Sequence, residues 1–133
     1  GPPPPPHAEA SFAALADTLA IGSKRLNSIL GKDGVTFVRL EKPLRIRLRF
    51  RGARIALDLD RVRQLVVIAG LDLDGDYQFD AGGGGPALIN LSRLSTEAGY
   101  GEALTAATLL KRFAAHAELP RPPHLDAPGP MRF

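Results

Sequence analysis

Between residues 44 and 60 apolar and polar positions alternate with a period of two. Leu44, Ile46, Leu48 and Phe50 are interleaved with Arg45, Arg47, Arg49 and Arg51; after Gly52 the alternation resumes with Ile55, Leu57 and Leu59 against Arg54, Ala56 and Asp58. That period belongs to a half-buried strand, so the segment predicts a hairpin turning at Arg51-Gly52. The turn sets Phe50 opposite Ala53, Leu48 opposite Ile55, Ile46 opposite Leu57 and Leu44 opposite Leu59. All the apolar pairs then fall on one side, and a slip of one residue would destroy the match. The other side gathers Arg45, Arg47, Arg49 and Arg54, with Asp58 as the counter-charge within the hairpin. Like charges facing one another across a sheet are destabilising, so the pattern asks for neutralisation from outside.

Elsewhere the pattern changes period. Residues 11–30 place Phe12, Leu15, Leu19, Leu26, Ile29 and Leu30 at helical spacing, with Ser11 as N-cap and Gly22-Ser23 as a kink or break. Lys32-Asp33-Gly34 reads as a turn, Val35–Leu40 as a strand, and Glu41-Lys42-Pro43 as the turn into the arginine hairpin. Asp60 reads as the cap of a short helix, Arg61–Ala69, closed by Gly70; Val66-Val67-Ile68 would serve equally in a buried strand. Asp76–Asp80 and Ala87–Leu91 predict a second hairpin around Gly82–Gly85. Gly101–Ala117 predicts a final helix with Ala103, Ala106, Leu110, Phe113 and Ala117 on its apolar face. The order, helix, three strands, short helix, two strands, long helix, is that of an α+β fold. It implies an antiparallel sheet of about five strands with helices covering one face and the arginines on the uncovered one.

Composition bounds what such a domain can be. Its 133 residues are 44% apolar and 23% charged, enough for one modest core. Residues 1–8 and 119–133 are proline-rich and read as tails or linkers bracketing a single folded unit, 9–118. Such a unit is expected to be one module of a longer protein. No apolar run reaches the roughly 18 residues of a membrane span, and no secretory signal is visible. The Gly-Pro opening resembles a protease scar or an excised fragment, and the expected location is cytoplasmic. The chain has no cysteine, which excludes disulfides and thiolate metal sites. The net charge is +3, and the lysines are confined to Lys24, Lys32, Lys42 and Lys111. A GC-rich bacterial genome would explain arginine in place of lysine, though not its alternating placement. Arginine offers a planar fork suited to carboxylate and phosphate.

A second charged cluster, Asp72, Asp74, Asp76 and Asp80, resembles the start of a calcium loop, since alternate oxygen ligands suit a hard cation. Tyr77 stands where such a loop needs its glycine, and Gly83 where it needs a bidentate glutamate, so no metal is assigned. The acidic segment is a candidate for self-association with the arginine face of a second copy. Gly82–Gly85 lacks the Lys-Ser/Thr of a phosphate loop and reads as a linker. Catalysis finds little support: His116 is the single histidine of the folded body, and no nucleophile motif accompanies any serine. No catalytic residue and no cofactor are assigned. Arg45-x-x-x-Arg49 or Arg47-x-x-x-Arg51, with Asn90-Leu91-Ser92-Arg93-Leu94-Ser95, partly resembles the element with which PilZ domains bind cyclic di-GMP. The closing glycine of that element is Ser95 here and the intervening gap is longer, so no family is assigned.

The sequence thus points to a non-catalytic protein- or peptide-binding module of a larger bacterial protein or assembly. Arg45, Arg47, Arg49 and Arg54 would meet an acidic partner, with self-association as one form of it. The alternative is an electrostatic, low-specificity nucleic-acid binder using the same arginines. Sheet-based single-strand binders interleave aromatics for base stacking, whereas Phe50 belongs to the apolar side of this hairpin.

Overall fold

The alternation of residues 44–60 is realised as two paired strands. The computed structural model describes residues 7–31, 34–80, 85–92 and 99–119. β2 (Leu44–Phe50) and β3 (Ala53–Asp60) pair antiparallel with Phe50 opposite Ala53, Leu48 opposite Ile55 and Ile46 opposite Leu57, the expected register. β1 (Thr36–Glu41), β4 (Leu65–Gly70), β5 (Gly75–Phe79), β6 (Leu88–Asn90) and β7 (Ala103–Leu104) complete the sheet. Neighbours in sequence are neighbours in space, giving an antiparallel meander in the order β1-β2-β3-β4-β5-β6-β7. The sheet therefore has seven strands rather than about five.

The two additional strands come from segments with competing signals. Residues 61–69 do not form a helix: Arg61–Gln64 is a turn and Leu65–Gly70 is β4. The Asp60 carboxylate accepts hydrogen bonds from the backbone N–H groups of Val62 and Arg63 at 3.0 and 3.1 Å. Those bonds serve a helix cap and an Asx turn equally; the β-branched run that follows favours a strand, and pairing with β3 and β5 fixes it. At the other end, the last helix begins later than its composition implies. Ala103–Leu104 pairs with β6, and α2 (Ala106–His116) starts behind a reciprocal cap in which Thr105 and Thr108 each bond the other's backbone N–H.

α1 (His7–Leu30) runs unbroken through Gly22-Ser23 and starts ahead of Ser11, so neither the break nor that cap is present. Ala8 extends the buried stripe of Phe12, Leu15 and Leu19, which explains the longer helix. Gly22 serves the packing instead: a Cβ there would stand 2.3 Å from Cδ1 of the buried Leu110 in α2. Ser23 is buried and satisfied, its hydroxyl donating to the Leu19 carbonyl at 2.8 Å.

Both helices lie on one side of the sheet and join a single core with Ile46, Leu48, Ile55, Leu57, Ile68 and Tyr77. The Tyr77 hydroxyl, buried with its ring, donates to the Leu73 carbonyl at 2.8 Å. At the edge, Arg39 of β1 points towards the helices and binds Asp17 of α1 at 2.6 Å and Glu41 at 3.0 Å. No helix among the described residues is long and apolar enough to cross a membrane.

Candidate functional site

Because β2 and β3 bury their even and odd apolar residues respectively, their arginines leave the sheet on the face opposite the helices. Strand register arranges that face in rows. Thr36, Arg49 and Arg54 form the row nearest the β2–β3 turn. The next is Val38, Arg47, Ala56 and Ala69, and the third is Leu40, Arg45, Asp58, Val67 and Asp76. The face is thus less polar than the hairpin alone implies, with Val38, Leu40 and Val67 about as exposed as its arginines are. Sequence reasoning missed Thr36, Val38 and Leu40. Both alternating sets of β1 contain apolar residues, so its orientation follows from register alone.

The four arginines are not electrostatically equivalent. Arg47 Nη1 donates to Asp58 Oδ1 at 2.7 Å and to the Ile46 carbonyl at 3.0 Å. Arg45 Nε lies 3.6 Å from the same carboxylate oxygen, so one carboxylate serves two guanidiniums. Farther along the face, Arg63 binds Asp60 at 2.8 Å and Asp76 at 3.3 Å. The side-chain hydrogen bond from Arg63 holds the Asp60 carboxyl below its ordinary value, and that same bond raises Arg63. Arg49 and Arg54 stand directly opposite one another, and neither has an ion-pair or hydrogen-bond partner among the described residues. With Thr36, Val38, Arg47 and Ala56 they border a cleft of about 370 Å³.

Arg54 also borders a second cleft, of about 310 Å³, around the end of the sheet with Arg51, Leu71, His116 and Glu118. Arg51 takes a left-handed conformation at the turn (φ 54°) and stacks its guanidinium 5.0 Å from the centre of the Phe50 ring. Arg54 is held from behind by Gly70, whose φ is 105° and whose absent Cβ would stand 2.3 Å from the Arg54 carbonyl oxygen.

The acidic segment is distributed rather than gathered. Asp72, with φ 56°, and Asp74 lie in the β4–β5 turn, where Asp74 accepts from the Gly70 N–H at 3.3 Å. Asp76 lies on the open face against Arg63, and Asp80 follows the far end of β5. Among the described residues no three His, Cys, Asp or Glu side chains converge as metal ligands would. The glycine loop falls outside the described residues except for Gly85. His116 is exposed in the last turn of α2.

The partial PilZ-like pattern is not assembled either. Asn90 is buried, accepting from the Ser92 N–H at 2.9 Å and donating to the Gly99 carbonyl at 3.1 Å. It lies on the face opposite the arginines and four strands from β2; Ser95 is outside the described residues. Comparison with protein-family models, curated proteins and solved structures finds no match to this chain.

Proposed function

We propose that this domain is a non-catalytic protein- or peptide-binding module that receives an acidic partner on the open face of its sheet. The observation that supports this reading is the facing pair Arg49 and Arg54, which lacks a counter-charge among the described residues while Arg45 and Arg47 share Asp58. A like-charge pair across strands is unfavourable for the isolated domain, and an anionic partner relieves it. The residues around that pair supply hydrogen-bond donors and aliphatic surface, a combination suited to an extended acidic peptide. An acidic segment of a second copy is one such partner.

Nucleic acid is the competing occupant of the same arginines. The open face favours it less, because its neighbours to the arginines are Val38, Leu40, Ala56 and Val67 rather than stacking aromatics. Titration of a labelled polyglutamate peptide and of single- and double-stranded oligonucleotides, at several salt concentrations, separates the two. The expected result is saturable peptide binding that disappears in Arg49→Glu/Arg54→Glu, with oligonucleotide binding negligible near physiological salt. Tight oligonucleotide binding that falls steeply with salt would overturn the proposal, as would peptide binding unchanged in the variant.

A further inference from the structure

We infer that the cleft between Arg49 and Arg54 is built for a single dianionic group, a phosphate monoester carried by a peptide. This inference rests on the acidic-partner reading and sharpens it. Residues directly opposite in an antiparallel pair have Cβ atoms about 5 Å apart, so two flexible guanidiniums from Arg49 and Arg54 can close on one small anion. A carboxylate neutralises one of them and leaves the other facing a like charge. A phosphate monoester carries close to two negative charges near neutral pH on three acceptor oxygens, enough for a forked hydrogen bond from each arginine. The Thr36 hydroxyl is exposed at the end of the same row, and Arg47, already committed to Asp58, borders the cleft from the next. Val38 and Ala56 line the remaining wall, where an apolar residue flanking the phosphorylated one would lie. The open edge of β1 begins this row, so an extended segment has access to it from the side.

The charged groups that border the cleft are Arg47, Arg49 and Arg54, with Asp58 behind Arg47; Arg54 also borders the second cleft, with Arg51, His116 and Glu118. A change in affinity between pH 5 and 7.5 that is the same in wild type and in His116→Gln reports the second ionisation of the ligand, near pH 6.

The test uses the full chain and a fluorescently labelled peptide of alternating threonine and valine with phosphoserine, glutamate or serine at its centre. At constant ionic strength the phosphoserine peptide is expected to bind at least about tenfold tighter than the glutamate peptide. That preference should grow from pH 5 to 7.5, and be lost in Arg49→Gln and in Arg54→Gln. Arg112→Gln, which removes a guanidinium of α2 bound to Glu102 at 2.8 Å and outside the cleft, should keep it. Melting curves confirm that each variant is folded. Equal affinity for phosphoserine and glutamate would overturn the inference while leaving the acidic-partner reading intact. A preference that survives both single variants would overturn it too. Equal binding of a 5′-phosphorylated oligonucleotide would overturn the assignment to a peptide. Failure of all three peptides, together with failure of polyglutamate, would overturn both.

Discussion

At the level of single residues, Arg49 and Arg54 separate the requirements of folding from those of binding. Standing opposite one another without a carboxylate among the described residues, they make β2–β3 less stable than it could be. Replacing Arg54 by Glu creates an opposite-charge cross-strand pair. Such a pair is favourable by about 0.2–1 kcal/mol, so Arg54→Glu should raise the melting temperature by a few degrees, roughly in line with a domain of this size. The same substitution should abolish binding of the polyglutamate peptide. A variant that melts higher yet still binds would show that the pair costs stability without serving the partner. Asp60 supplies a second residue-scale expectation. Its folded carboxyl is held down by Arg63, so the stability it contributes is present above the ordinary carboxylate range and is lost as pH falls through the folded value. The difference in unfolding free energy between wild type and Asp60→Ala should be constant above about pH 5 and shrink at lower pH. A difference independent of pH would remove the ion pair from the account.

At the level of elements, Gly70 ties β4 to the site. Its positive φ of 105° and the closeness of the Arg54 carbonyl mean that any side chain meets both strain and a steric clash. Gly70→Ala should cost about 2–4 kcal/mol in urea denaturation and weaken peptide binding by displacing Arg54. Unchanged stability would show that β3 and β4 yield here. The signals for β4 illustrate how local chemistry underdetermines an element. The Asp60 cap bonds and the closing Gly70 are both present, yet they bracket a turn and a strand. An Asx turn and a helix N-terminus begin with the same bonds. Thr105 works in the opposite sense: it caps α2 with Thr108 rather than with an acidic residue, so the helix starts five positions after Gly101 and leaves Ala103–Leu104 to pair with β6.

For the whole molecule, the two faces of the sheet define where substitutions matter. Ile46 and Leu57 are almost fully buried under the helices, and a carboxylate at either site would be desolvated at a cost of several kcal/mol. Against a total stability of about 5–15 kcal/mol, Ile46→Asp and Leu57→Asp should abolish the cooperative melting transition. Arg47→Glu on the open face should leave the domain folded, with a change within about 1 kcal/mol. Equal losses in the two classes would mean that the open face is covered. The edge strand β1 is tied to α1 by the ion pair of Arg39 with Asp17, which leaves Val38 and Leu40 on the side of the arginines.

Alternation determined the arginine hairpin and its register, because a period of two with a tight turn admits one pairing that buries every apolar residue; the helical spacing of the flanking segments added the α+β class and with it the side on which the arginines lie. Tertiary structure decided what depends on neighbours distant in sequence. β1 took its orientation from pairing with β2, since its own pattern is apolar on both sides. β4 became a strand because β3 and β5 were there to receive its backbone hydrogen bonds. Gly22 became a contact point within a continuous helix because Leu110 packs against it. The separation of the arginines into a pair quenched by Asp58 and a pair left facing one another arose in the same way: charge balance is a property of side-chain positions across strands, which residue order specifies only once the strands are placed.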